Sequence, residues 1–476
     1  MPNRYPEGDL AAPAPIAAAL LDDLRAAGLD VDTSTAARAE HARDWWPRSL
    51  PSVARGEVAQ WPGAVVRPRS TDQVSATLRV ASAHRIAVTA QGGRSGVVGG
   101  AVPSTGALAL DLTGLNRVLA VDAASQTVRV EAGVFGPDLE ERVRAHGLTV
   151  GHFPQSFDLA TVGGWIACRG AGQYSNRYGT VADMVRGLTV VLSDGTVVSL
   201  GDHGPRAAVG PDLTQLFIGS EGTLGVVTEA SLVLHARPPR ERRAAYLFGS
   251  FAEGLSACRR TLQREARPAV LRLYDEAESR RHFDVEGCAL VVLDEGEEAF
   301  LAATMGVVAE ECADATPLDE ALVERWLVRR NDVGALAPLW ARGIVVDTIE
   351  TAGPWSLLGD LHLMVRDALA SLPDMLVVSV HQSHAYLDGA CLYFTFAGQP
   401  GGDAEAFYRS AWDHAMGAVL AGGGSLSHHH GIGRNRARFV ADALGSAWPL
   451  LEGLKERLDP HHLLNPGVLG LGGPPW

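Results

Sequence analysis

Three stretches in the first half of the chain limit its fold more than anything else: "TAQGGRSG" (Thr89–Gly96), "PQSFDLATVGGWIACRGAG" (Pro154–Gly172) and "GSEGTLGVVTE" (Gly219–Glu229). Each combines glycines and small polar side chains with a preceding strand-like run. Glycine lets consecutive backbone N–H groups turn toward an anion, so a pyrophosphate is the natural ligand of such loops. A single loop of this kind is more often only a turn. The usual nucleotide signatures are missing: there is no GxxxxGK[ST], the glycines do not form GxGxxG, and Gly93-Arg94-Ser95-Gly96 is not a GxSxG elbow. A nicotinamide or ATP site of standard type is therefore not expected.

The surrounding pattern reads as two α+β domains, the default for 476 residues. The first ~45 residues look helical and end in "DWWP" (Asp44–Pro47). From Ala64, strand "AVV", a helix with Ser70, Thr71 or Asp72 available as N-cap, and strand "IAVTA" form a βαβ unit leading into the first glycine loop. "RVLAVDAASQTVRVEAGV" and "LTVVLSDGTVVSL" read as hairpins, the second with Asp194-Gly195 placed for a type I′ turn. "RPPRERR" (Arg237–Arg243) reads as a joint. Beyond it, "MLVVSVHQSHAYLDGACLYFTFAG" reads as a late strand pair. The expected division is a helical segment 1–49, a first domain 50–238, a second domain 239–425, and a C-terminal segment 426–476 returning to the first.

A net charge of −14 leaves no broad basic surface, which argues against a nucleic-acid partner and against docking on anionic lipid. Five scattered cysteines without a CxxC pair suggest neither a zinc ribbon nor a disulfide framework and fit a reducing compartment. The N-terminal residues lack a basic stretch followed by an apolar one, and no uncharged apolar run reaches spanning length, so no transmembrane segment and a cytoplasmic protein are expected.

Taken together with "SLSHHHG" (Ser425–Gly431), the three glycine segments resemble the flavin domain of the vanillyl-alcohol oxidase and p-cresol methylhydroxylase superfamily, and within it alkyldihydroxyacetonephosphate synthase. The likeness runs from "DWWPRSL" to "LDPHHLLNPG", nearly the whole chain. It implies a two-domain α+β FAD-binding fold of the p-cresol methylhydroxylase type and an α/β cap over the isoalloxazine ring, and it is compatible with a homodimer. The first loop would wrap the FAD pyrophosphate: Thr89, Ala90, Gln91, Gly92, Gly93, Arg94 and Ser95, with Gln91 where a glycine is usual and Arg94 where a threonine is usual. The other implied flavin contacts are Gln155, Ser156, Thr161, Gly163, Gly164, Cys168, Arg169, Gly170, Ala171, Glu221, Gly222, Thr223, Leu224 and Val227. Residues 89–96 contain neither histidine nor cysteine, so FAD is expected to be non-covalent, with Cys168 a small residue packed against it.

Three histidines in a row suggest a metal, yet on an extended segment His428 and His430 would share a face while His429 points away. Related D-lactate and 2-hydroxyglutarate dehydrogenases hold a divalent metal through HxGDGNxH-like and EHG motifs; here the stretches read "AYLDGACL" (Ala385–Leu392) and "HHG" (His429–Gly431). The motif's ligands are gone, although His381 and His384 lie nearby, and no metal is expected. A histidine can instead pass a proton or steady an oxyanion, as the resemblance implies for His428, His429 and His430, or it can merely order a polar turn.

The resemblance also assigns Tyr393 ("CLYFTF") as an acid/base and Arg272 ("LRLYD") as an active-site arginine. On residue type alone Tyr393 would be core, and Arg272 could be answered by a ligand anion or by an acidic side chain. One departure weakens the synthase reading: upstream of "ETAGPW" (Glu350–Trp355), the family's phosphate-binding arginine falls on Leu336, with Arg329, Arg330 and Arg342 nearby. The leading expectation is an FAD-dependent oxidase or dehydrogenase of a small polar hydroxyl-bearing substrate. The alternatives are a synthase-type transferase working through a flavin N5 adduct, and a flavin-binding protein without turnover.

Overall fold

The computed structural model describes residues 10, 15–201, 204–334 and 336–473. The expected N-terminal segment lies outside it over residues 1–9 and 11–14. Its described part is not purely helical: between helices Ala18–Ala26 and Thr35–Glu40, strand Val31–Asp32 pairs antiparallel with Ala64–Val66. The first sheet has the order Val31–Asp32, Ala64–Val66, Leu108–Asp111, Val88–Gln91, its last three strands parallel. Ser70 is the N-cap of helix Thr71–His84, its hydroxyl accepting from the Gln73 N–H. The strands of the βαβ unit flank Leu108–Asp111 instead of each other. That leaves Val88–Gln91 at an edge, free to deliver its glycine loop beyond the sheet.

A second sheet of five antiparallel strands follows, in the order Val118–Asp122, Thr127–Glu131, Val226–Val233, Val185–Val191, Val197–Gly201. Both expected hairpins form, but the second does not use a type I′ turn. Only Gly195 has positive φ (+84°) and the loop spans residues 192–196. The Asp194 carboxylate accepts from the Thr196 N–H and occupies the turn in its own way.

Seven antiparallel strands build the third sheet, ordered Thr316–Leu318, Arg240–Phe248, Cys288–Gly296, Val270–Tyr274, Met375–Ala385, Gly389–Gly398, Val345–Pro354. The proposed joint is largely a strand: Arg240–Arg243 already pair with Leu293–Gly296, and their charges face Glu241, Glu298 and Glu324. Proline and charge marked an exposed edge here, where both are tolerated.

Side chains alternate across this sheet and divide it into two faces. Leu271, Leu273, Leu392, Phe394 and Phe396 pack under helices Phe251–Gln263, Trp355–Ala370 and Ala404–Ala421. Val270, Tyr274, Val291 and Leu293 share the other core with residues of the first half such as Val150 and Tyr174. The odd-numbered side chains Tyr393 and Thr395 therefore face the first half of the chain. The C-terminal segment returns to that half as well: the Val88 N–H donates to Leu463 O, and the Asn465 N–H to Val88 O.

Candidate active site

A cavity of about 1020 Å³ lies where the glycine loops meet the polar face of the seven-stranded sheet. The glycines of the first loop are required by packing: a Cβ on Gly92 would stand 2.1 Å from Thr161 Oγ1, and one on Gly93 1.7 Å from Leu159 O. The first and second loops thus meet with no room for a side chain between them. Thr161 caps the short helix Val162–Ala167 through the Gly164 N–H. The third loop is tied across the site by Glu221, whose two oxygens accept from the N–H groups of Ile432 (2.6 Å) and Gly433 (2.8 Å).

Both unusual residues of the first loop reach the N-terminal segment. The Gln91 amide donates to His41 O (2.9 Å) and Ala101 O (2.7 Å), and Arg94 pairs with Glu40 at 2.9 Å. These bonds tie the loop to its surroundings, while both residues also line the cavity and Gln91 Oε1 has no partner among the described residues.

Most of the expected cofactor residues line the cavity: Ala90–Ser95, Gln155, Ser156, Thr161, Gly163, Gly164, Cys168, Gly170, Ala171, Glu221, Gly222 and Val227. Four do not. Thr89 bonds Asn465, Arg169 points into solvent, Leu224 belongs to the apolar core, and the Thr223 hydroxyl closes on Ser220 O. A stretch of motif spans positions whose side chains alternate away from the ligand side, so contiguous numbering overstates contact.

On the sheet side, strand register sets one row. Glu350 pairs with Tyr393, Tyr393 with His381, and His381 with Tyr274. Tyr393 donates to Thr348 Oγ1 (3.0 Å) and stacks on His381, ring centroids 4.8 Å apart. Burial raises its pKa above the ordinary tyrosine value, so it is a protonated donor. Arg272, 8% exposed, donates to His381 Nε2 at 2.7 Å; His381 Nδ1 in turn meets Glu278 at 2.6 Å. A register shift between Gln382 and His384 brings both Ser383 and His384 to the cavity wall.

The histidine triplet is not extended. It curls around the buried Glu350 carboxylate, which accepts from the backbone N–H groups of His428 (2.6 Å), His429 (3.4 Å) and His430 (2.7 Å) and from the Ser427 hydroxyl (2.7 Å). Arg436, fully buried, reaches the same carboxylate at 3.2 Å. Burial would raise the Glu350 pKa, but Arg436, the neighbouring imidazoles and the backbone donors outweigh it and hold the carboxylate well below its usual range. Burial and neighbouring positive groups push His428 and His429 down to about 3 and His430 to about 4, so all three are neutral near pH 7.

His429 and His430 face the cavity with Tyr393, their ring centroids 6.1 and 5.4 Å from its own. His428 does not line it; it stacks on His384 at 4.8 Å and meets the Tyr386 hydroxyl at 3.0 Å, while Ser175 meets His384 Nδ1 at 2.8 Å. The curl also removes the geometric argument made against a metal, since ring nitrogens of His384, His428 and His429 lie within 4.8 Å of one another. Sequence reasoning missed Glu350, Glu278 and Arg436 as organisers. Glu350 opens the "ETAGPW" block and carried a signal; the other two act through partners remote in sequence.

Comparison with known proteins agrees with this geometry. Residues 62–201 match the FAD binding domain family and residues 237–469 the C-terminal domain of FAD linked oxidases. The uncharacterized FAD-linked oxidoreductase YgcU of Escherichia coli O157:H7 is 32% identical over 444 residues, 89% of this chain and 92% of that protein. A solved structure of alkyldihydroxyacetonephosphate synthase superposes with a TM-score of 0.81 at 26% identity, covering 97% of this chain and 87% of the other. That of p-cresol methylhydroxylase with substrate bound, at 15% identity and TM-score 0.76 over 96% and 98% of the two chains, shares the fold. The cavity suits FAD: beside the glycine floor, both ring nitrogens of buried His152 and the Trp165 Nε1 have no hydrogen-bond partner among the described residues and line the wall, where a polar ring system would satisfy them. Burial pushes the Cys168 thiol up to about 12, so it is no nucleophile toward such a ring.

Proposed function

This chain belongs to the FAD-linked oxidoreductase family, and from that premise we propose that it oxidises a small, polar, hydroxyl-bearing substrate. The observation that carries the reading is the convergence of Tyr393, Arg272, His429 and His430 on the cavity whose floor is the Gly92–Gly93 loop. Cys168, Gly170, Ala171, Glu221 and Gly222 together with that loop would hold FAD without a covalent link, and it would supply the hydride acceptor at N5. The residues supply the rest. Tyr393, protonated, donates a hydrogen bond to the substrate oxygen. His430 is the best-placed base: it is neutral, on the wall, and its Nδ1 lies 3.6 Å from Glu350, whose negative charge favours the imidazolium formed when it takes the hydroxyl proton. His429 is the second acceptor. Arg272 fixes a polar or anionic substrate group.

The runner-up is a synthase-type transferase. The likeness to the solved synthase favours it, and Leu336 on the cavity wall, in place of a phosphate-binding arginine, opposes it. An anaerobic visible spectrum separates the two. Bleaching by a 2-hydroxy acid or polar alcohol, restored by an acceptor, supports the oxidoreductase; bleaching confined to an acyl dihydroxyacetone phosphate, with release of fatty acid, supports the transferase. Tyr393→Phe leaves FAD bound and slows reduction roughly a hundredfold, the typical weight of one such donor; unchanged reduction removes Tyr393 from the chemistry.

A further inference from the structure

Buried guanidinium groups are costly unless a counter-charge answers them. Four arginines on the cavity wall, Arg272, Arg325, Arg329 and Arg330, have none among the described residues; Arg325 and Arg329 are exposed and solvated, whereas Arg272 is buried and Arg330 half-buried. Arg272 meets the acceptor His381, the Tyr274 side chain and the Trp326 ring, none of them a carboxylate, and its buried Nε has no partner; Arg330 meets Tyr174 and has a buried Nη1 without one. Neither comes within 4.0 Å of a carboxylate, whereas Arg94 and Arg281, on the same wall, each do.

The two also share a support. Both guanidinium carbons lie over the Trp326 ring, 5.4 Å from its centroid for Arg272 and 5.6 Å for Arg330. Arg330 stands over Tyr174 as well, at 5.0 Å, and its carbonyl accepts from the Gln173 amide at 3.1 Å, which anchors it to the flavin domain. Arg272 is aimed from the opposite side by the Glu278–His381 pair. Glu278 accepts a hydrogen bond from the His381 Nδ1–H, so Nε2 of the neutral ring can only accept, and it accepts from Arg272. Each arginine is thus oriented while donors are left over.

We propose that Arg272 and Arg330 form a two-arginine site on Trp326 that holds an anionic group of the substrate, a carboxylate or a phosphate. The inference rests on the oxidoreductase reading for the word substrate, but not for binding. Arg330 takes over the task that Leu336 has given up. The shift of six residues along the chain leaves the cavity wall cationic and moves the charge to the edge next to Tyr174 and Gln173. A planar, stacked guanidinium beside a second one suits a two-oxygen acceptor.

The test uses the FAD-loaded protein and three probes, glycerate, glycerol 3-phosphate and glycerol, titrated against the flavin difference spectrum. In the wild type one or both charged probes bind at least tenfold tighter than glycerol, and which of them does so distinguishes a carboxylate site from a phosphate site. Arg330→Gln weakens the charged probe tenfold or more and leaves glycerol and the flavin content unchanged; Arg330→Lys, which keeps the charge without the planar stack, falls between. Charged probes no tighter than glycerol, or equal weakening of all three, overturn the site. Loss of FAD from Arg330→Gln also overturns it, by giving the charge to the cofactor phosphates. Because binding is read without turnover, a tight charged probe that never reduces the flavin refutes the redox reading alone. Reduction at wild-type affinity in Arg330→Gln refutes the site alone.

Discussion

Replacing Glu350 with glutamine isolates what holds the histidine triplet. The side chain keeps its size, so the change removes a charge and turns one acceptor into a donor. With the amide oxygen in the Oε1 position it still accepts from Ser427 and the His430 N–H, and the NH₂ then faces the His428 N–H where the carboxylate stood at 2.6 Å. A buried donor left without an acceptor costs about 1–3 kcal/mol. Breaking a fully buried ion pair costs about 3–5 kcal/mol, and here the lower end applies, because Arg436 keeps its 2.6 Å bond to Leu426 O and its place over Trp412. The sum is about 4 kcal/mol. At a urea m-value of about 3 kcal/mol per molar or more for a chain of this size, the unfolding midpoint falls by roughly 1 M. Glu405→Gln, which breaks the exposed pair with Arg48, is the control and shifts stability by under about 1 kcal/mol. Urea unfolding followed by tryptophan fluorescence, together with the rate of flavin reduction, gives the result. A shift no larger than the control's, with reduction intact, refutes the view that Glu350 organises the triplet.

Gly93→Ala places a methyl group against Leu159 O and forces the first two loops apart; the variant is expected to purify without flavin, and yellow protein with normal FAD content overturns the packing argument. Acid precipitation is expected to release all the flavin into the supernatant, and colour in the pellet would establish a covalent link. Below about pH 6.5 the unfolded chain protonates its histidines while the folded triplet resists to about 3–4, so the triplet's contribution to stability falls with pH over that window and is flat above it. Glu221 and Asp347, both pushed up to about 7 by burial, act in the opposite direction, so the comparison is with His428→Asn, whose midpoint depends less steeply on pH between 6.5 and 4; parallel curves sink the assignment.

The sequence by itself determined the order of the elements, which rests on local demands, and its resemblance to a known family carried the fold type and the cofactor. Gly92 and Gly93 permit a contact that no side chain survives, β-branched runs alternate along strands, and a serine caps the helix after Val66. It also marked Tyr393, Arg272 and the histidines by their place in motifs. Tertiary structure decided what those residues face and which charges answer them. The triplet curls because Glu350, 78 residues away from His428, collects its N–H groups; His384 reaches the wall because of a register shift. Gln91 and Arg94 meet His41 and Glu40 only in the folded chain, and Arg330 makes sense only beside Trp326 and Arg272. Electrostatic partners and close contacts depend on distances in space that the folded sheet sets, and spacing along a chain carries no record of them.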